Sequence, residues 1–181
     1  MAQQNWEKSY KNKEIPWRNF SPNLSKILNK ANIFSGVALD LGSGTGEFSK
    51  WLSDQGFKVE GIDFSEEAIN IAKEICPLCN FSNWNLENLE NYHFKYKKYD
   101  IILDSKVIAF IEDKEKYLNV IHFKLKGAFV IQSFLYHKEK PLIAVNEKKL
   151  EKLLKEKFNI LDKEVISLIN KIWVEYILVS K

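Results

Sequence analysis

Arginine is almost missing from this 181-residue chain: Arg18 is the only one, although lysine and arginine together number 27. Guanidinium is the usual group for bidentate recognition of phosphates and base edges, so its scarcity disfavours a phosphate clamp or a nucleic-acid partner. The net charge of +3 reads as solubility. Cysteine is scarce too. Cys76 and Cys79 form CPLC, but no second C-x-x-C exists and His93, His122 and His137 show no ligand spacing, so no metal site is expected. The two cysteines read as ordinary buried or half-buried thiols. Long apolar runs are absent: the longest, VIAFI at 107–111, falls far short of the ~20 residues that span a bilayer, so no membrane partner is expected. The opening MAQQNWEKSY has no apolar stretch of a secretory signal, which predicts a cytoplasmic protein.

What is present is ordinary globular composition, 45% apolar and 28% charged. That suits one domain over 1–181 with its own core and one active site. Short β-rich runs alternate with segments of helical apolar spacing, which is the pattern of an α/β fold. Strands are expected at 37–41, 58–62, 80–84, 100–103 and 128–134, with helices near 46–55, 65–75 and 114–123. In the second helix Ala68, Ile69, Ala72 and Ile75 share a face and Ser65 is placed to cap it. A further helix carries Leu150, Leu153 and Leu154 on one stripe. The closing runs 158–166 and 171–180 are joined too briefly for a parallel crossover and are expected to pair antiparallel. Residues 1–35 differ in composition, with Trp6, Tyr10, Trp17 and Phe20 among polar residues and Pro16 and Pro22 between them. They read as an aromatic arm or lid preceding a core over 36–181.

Chemistry concentrates in VALDLGSGTGEF, 37–48, where a strand ends in Asp40 and Leu41 and runs through Gly42, Ser43, Gly44 and Gly46 into a helix. Alternate glycines let backbone approach a ligand without an intervening Cβ, and amides at a new helix start point toward it. A dinucleotide turn would place its third glycine at position 47, which is Glu47. A carboxylate beside a diphosphate is costly, whereas a ligand carrying sulfonium and ammonium charge welcomes acids. Asp63 follows Asp40 by 23 residues, close to the spacing at which an acid holds a ribose diol. Phe64 is then placed to pack on a purine, and Asn85 and Leu86 in NWNLENL to meet its edge and face. Asp104 closes the fourth strand at the end where open α/β sheets hold ligands.

These residues resemble the class I S-adenosylmethionine-dependent methyltransferases. DLGSGTG resembles the family's first motif, GIDFS its ribose-binding acid, NWNLENL its adenine segment and YDIILD the strand leading to the acceptor. The resemblance implies a Rossmann-like, seven-stranded, mostly parallel sheet with an antiparallel last strand and helices on both faces. It also implies S-adenosylmethionine as cofactor. Asn85 stands where many members carry aspartate, and it still offers a carbonyl. The N-terminal WEKSYKNKEIPW and the DSKVIAFI run resemble the thiopurine and thiol methyltransferase group, which implies that Trp6, Tyr10 and Trp17 cover the cofactor. Lys106 stands where that group often has glycine.

Methyl transfer by in-line displacement is accelerated chiefly by orientation and exclusion of water, with cation–π contact to the sulfonium worth ~0.5–2 kcal/mol. The acceptor is read as a small molecule with a thiol, amine or hydroxyl, since no target-recognition insert is seen. Where a base is needed, Asp104, Tyr136 and His137 are the candidates, the last two following the fifth strand. A protein or nucleic-acid methyltransferase and a non-catalytic S-adenosylmethionine-binding protein are the alternatives. A monomer or weak homodimer is expected.

Overall fold

A computed structural model describes residues 2–12, 23–137, 144–168 and 171–181. Seven strands form one sheet: β1 (Val37–Leu41), β2 (Lys58–Asp63), β3 (Asn80–Asn83), β4 (Tyr99–Ser105), β5 (Leu125–His137), β6 (Phe158–Leu168) and β7 (Lys171–Ser180). Their spatial order is β3-β2-β1-β4-β5-β7-β6. β1 through β5 pair in parallel, and β7 runs antiparallel to both β5 and β6. The chain winds outward from β1 in one direction and from β4 in the other, so the order reverses between them. Such a switch point leaves a crevice at the carboxyl ends of the strands.

Among the described residues six α-helices accompany the sheet: α1 (Ala2–Lys11), α2 (Leu24–Ala31), α3 (Glu47–Asp54), α4 (Glu66–Ile75), α5 (Lys114–Lys124) and α6 (Glu147–Lys157). One sheet face packs Ala38, Val59, Leu103, Val130 and Ile177 against Leu24, Ile27 and Leu28 of α2 and Leu52 of α3. The other packs Leu39, Ile62, Ile102, Phe129 and Tyr176 against Leu118 of α5 and Leu150 and Leu154 of α6. The alternation of β-strand side chains thus supplies both layers. Side-chain caps start four helices: Asn23, Ser65, Asp113 and Asn146 each accept a backbone N–H three residues on, at 3.0, 3.1, 2.9 and 3.0 Å. No helix among the described residues is long and apolar enough to cross a membrane.

Four sequence expectations change. The segment 1–35 is not a uniform arm, because α2 belongs to the core layer and is tied to the far edge by Lys26 to Glu164 at 2.5 Å and by Lys30 to Asp162. β4 is longer at both ends than 100–103. β5 runs on to His137, because β7 offers partners as far as Lys171. Cys76 and Cys79 are not free thiols: their Cα atoms lie 5.4 Å apart at the end of α4 and the sulfurs are joined in a disulfide.

Candidate active site

The glycine loop leaves β1 and folds back over β2. Gly42 and Ser43 both donate to the Ile62 carbonyl, at 2.8 and 3.0 Å. Gly42 sits at φ +69, and a Cβ there would meet Val107 Cγ2 at 2.2 Å, so the loop lies directly against the turn after β4. Gly44, at φ +51, donates to Asp63 Oδ2 at 2.9 Å while Ser65 donates to Asp63 Oδ1 at 2.9 Å. One carboxylate therefore ties the loop to the start of α4. Burial pushes the Asp63 carboxyl up from its ordinary value, against the two amides that hold its charge; Glu7 adds to the rise. Each oxygen keeps a second lone pair for a ribose hydroxyl.

Asp40 is buried and accepts from Ser49 Oγ of α3 at 2.7 Å; burial raises its pKa to about 6. Leu41 is fully buried in the sheet core. Ser43 Oγ is buried in the loop with no hydrogen-bond partner, a polar atom that a bound group would satisfy.

Asp104, beside Leu41 in register, is fully engaged. Its Oδ1 accepts from the Val107 and Ile108 amides at 2.9 and 3.1 Å, and its Oδ2 accepts from Tyr117 Oη of α5 at 2.9 Å. Burial raises its pKa to about 7 in spite of these donors. Held this way, Asp104 shapes the turn after β4. Lys106 in that turn has φ +73, the left-handed region that side chains disfavour. Strain of this kind is found at functional turns. Lys106→Gly is expected to raise stability by about 0.5–1 kcal/mol, read as a higher urea midpoint with an unchanged slope.

α1 crosses this end of the sheet. The Trp6 ring meets Phe110, after β4, edge-on at 5.5 Å. Ser65 Oγ donates to Glu7, and a Cβ on Gly44 would lie 3.1 Å from Tyr10 Oη. Trp6 and Tyr10 therefore stand over the carboxyl ends. Trp17 lies outside the described residues. Phe64 is half-buried beyond β2. Asn85 is exposed, and its Oδ1 accepts the Glu87 amide at 3.0 Å to cap a 3₁₀ turn, Leu86–Asn91. The carbonyl assigned to the purine edge is thus already in use, and Leu86 is buried in the core. Tyr136 and His137 lie on β5 opposite Ile172 and Lys171, not in a loop beyond it, and their side chains are outside the described residues.

Sequence reasoning missed Ser49, Tyr117, Gln132 and Glu175 in this region. The last two carried a legible signal, a polar residue inside each of the apolar strands AFVIQSF and IWVEYILV.

The crevice is acidic, lacks arginine among the described residues and has a glycine cradle with an orphaned hydroxyl. It fits a cationic nucleoside better than a diphosphate. A family model described as a methyltransferase domain matches residues 35–177. No curated protein matches. Among solved structures, a TehB-like SAM-dependent methyltransferase from Corynebacterium glutamicum superposes with a TM-score of 0.73 at 17% identity, covering 98% of this chain and 97% of that one. The N-methyltransferase NodS from Bradyrhizobium japonicum, in complex with S-adenosyl-L-homocysteine, gives 0.76 at 14% identity, with 97% and 96% covered. The magnesium protoporphyrin IX methyltransferase ChlM from Synechocystis, with bound SAH, gives 0.72 at 17%, with 87% and 80% covered. At these identities the structures establish the fold.

Proposed function

The chain belongs to the methyltransferase domain family as an S-adenosylmethionine-dependent enzyme, and from that premise we propose that its acceptor is a small molecule. The observation that carries this reading is α1, which roofs the carboxyl ends with Trp6 over Phe110 and Tyr10 over Gly44. A roof of that kind suits a small acceptor better than a folded protein or a duplex. The structural neighbour ChlM is named for a small molecule, magnesium protoporphyrin IX, in support. A thiol, amine or hydroxyl acceptor remains within this reading, and the arm's likeness to the thiopurine and thiol group belongs to it, as do a cytoplasmic location and a monomer or weak homodimer.

When bound, the cofactor supplies a methyl group made electrophilic by a sulfonium. The chain's own residues do the rest. Asp63 would receive the ribose hydroxyls, the Ser43 hydroxyl would hydrogen-bond the methionine part, and Phe64 would flank the base. Trp6 and Tyr10 would exclude water and offer ring faces to the positive charge. Asp104 keeps the turn after β4 in place, and Tyr136 and His137 are the proposed proton acceptors for a hydroxyl substrate.

The test supplies methyl-labelled S-adenosylmethionine with low-molecular-weight thiols, amines and hydroxyls in one arm, and RNA, DNA and protein in the other. Label in the soluble small-molecule fraction is expected. Label confined to acid-precipitable material would overturn the reading.

A further inference from the structure

The chain has two cysteines, and methyl transfer uses neither. Cys76 ends α4, where its amide donates to the Ala72 carbonyl at 2.9 Å, and Cys79 follows a tight turn in which its amide donates to the Cys76 carbonyl at 3.0 Å. Cys76 is 2% exposed and packs in a small cluster with Ile69, Ala72 and Phe81, while Cys79 is half-buried against it. The turn between them lies on the surface, with Pro77 exposed and Leu78 88% exposed. The disulfide thus joins a sealed residue to one that borders a solvent-exposed turn.

The same cluster supports the glycine loop. A Cβ on Gly46, the last glycine of that loop, would meet Ala72 Cβ at 3.0 Å and Phe81 Cζ at 3.2 Å. Cys79 Sγ lies 3.5 Å from the Ser49 carbonyl of α3, and Ser49 Oγ donates to Asp40 Oδ2 at 2.7 Å. Stapling the fold does not account for the bond. It closes a loop between residues three apart in sequence, and the shortest loops constrain the unfolded chain least.

On the cofactor reading above, we propose that Cys76–Cys79 is a thiol–disulfide exchange site, reduced by a dithiol, and that its reduction loosens the support beneath the glycine loop. A thiolate of the reductant attacks Cys79 Sγ. A reductant–Cys79 disulfide forms as the Cys76–Cys79 bond breaks, and Cys76 leaves as a thiolate that takes a proton from solvent. The reductant's second thiolate then attacks its own sulfur in the mixed disulfide, and Cys79 leaves and is protonated in turn. Two electrons pass to the cysteines, and the reductant ends as a disulfide. A monothiol stops short, because Cys76 stands close enough to expel it by re-forming the original bond. Once the bond is cut the sulfurs part. Cys76 is held by its cluster, so Cys79 and its turn shift, and Cys79 gains a proton to donate to the Ser49 carbonyl. Both changes fall on α3 and on the end of the loop that meets the cofactor.

The test equilibrates the folded wild-type protein with oxidised or reduced dithiothreitol and titrates each form with S-adenosylhomocysteine by calorimetry. Maleimide labelling after an acid quench counts thiols, and with no other cysteine in the chain it reports on this site alone. The oxidised form is expected to bind about 3- to 10-fold more tightly, with the difference reversed on re-oxidation. Equal affinities would overturn the switch, and a bond that opens only in urea would overturn the exchange site. 2-Mercaptoethanol at the same thiol concentration is expected to leave most of the bond closed; opening as complete as with dithiothreitol would overturn the dithiol preference. Cys76→Ser leaves Cys79 free and is expected to react with an aromatic disulfide reagent at least about 10-fold faster than Cys79→Ser, and the reverse order would overturn Cys79 as the attacked sulfur. Should either serine variant not fold, the wild-type comparison still decides the switch. Absence of S-adenosylhomocysteine binding in both redox forms would remove the cofactor reading and the switch with it, whereas binding that ignores the thiol count removes the switch alone.

Discussion

Gly44→Val is expected to abolish S-adenosylmethionine binding, as read by calorimetry, while leaving the circular dichroism spectrum that of a folded α/β protein. Gly44 lies at φ +51, where a β-branched side chain is strained by about 1–2 kcal/mol, a loss that a domain of this size survives. The local effect is far larger. Its amide ties the loop to Asp63 Oδ2 at 2.9 Å, so a valine that rotates the peptide releases the carboxylate from the position in which it meets the ribose. Its Cβ would also sit 3.1 Å from Tyr10 Oη, and the valine methyls would extend into the space the roof and the ligand share. Loss of affinity by more than about 100-fold, or about 2.7 kcal/mol, is expected. Affinity within a few-fold of wild type would show that the ligand lies elsewhere and that the loop is only a turn between β1 and α3.

How much of this was legible follows from what each signal depends on. The glycine loop and the place of Asp63 were visible because both patterns are local: alternate glycines between a strand and a helix, and an acid that ends a strand two residues before the cap of the next helix. Ser65 was readable as a cap for the same reason, and its Oγ does accept the Ala68 amide. The reach of β5 to His137 was not, since residues 135–137 stay extended because β7 pairs with them from across the sheet. α2 was hidden by composition. Leu24, Ile27 and Leu28 stand at helical spacing after the capping Asn23, yet they follow the aromatic arm so closely that the two read as one segment. Asp104 was placed correctly at the end of β4, while its use was not visible. The hydroxyl that holds it belongs to Tyr117 on α5, and two donors come from the turn itself. Gln132 and Glu175 were visible as lone polar residues, but the runs AFVIQSF and IWVEYILV were read only for the strands they identify.

Asp104 makes stability fall with rising pH. An acid whose folded pKa is raised keeps its proton in the folded state after the unfolded chain has released it. The unfolded state then binds fewer protons, and the stabilisation is complete below the unfolded value and lost as pH climbs to the folded one. For Asp104 that window runs from 3.8 to about 7, worth on the order of 4 kcal/mol. Asp40, raised to about 6 by burial, acts in the same direction, as do Asp63 and Glu175. The surface pairs that lower acids, such as Glu151 with Lys155 and Lys163, oppose this but are screened by solvent and weaker. Urea unfolding at a series of pH values is expected to give the greatest stability near pH 4–5, with a decline toward pH 7 and little change above it. Asp104→Asn keeps an oxygen for the Val107 and Ile108 amides and cannot ionise, so it is expected to flatten that decline by the Asp104 share. A variant whose stability falls as steeply as wild type would mean that Asp104 is already ionised in the folded protein, with Tyr117 and the two amides carrying its charge.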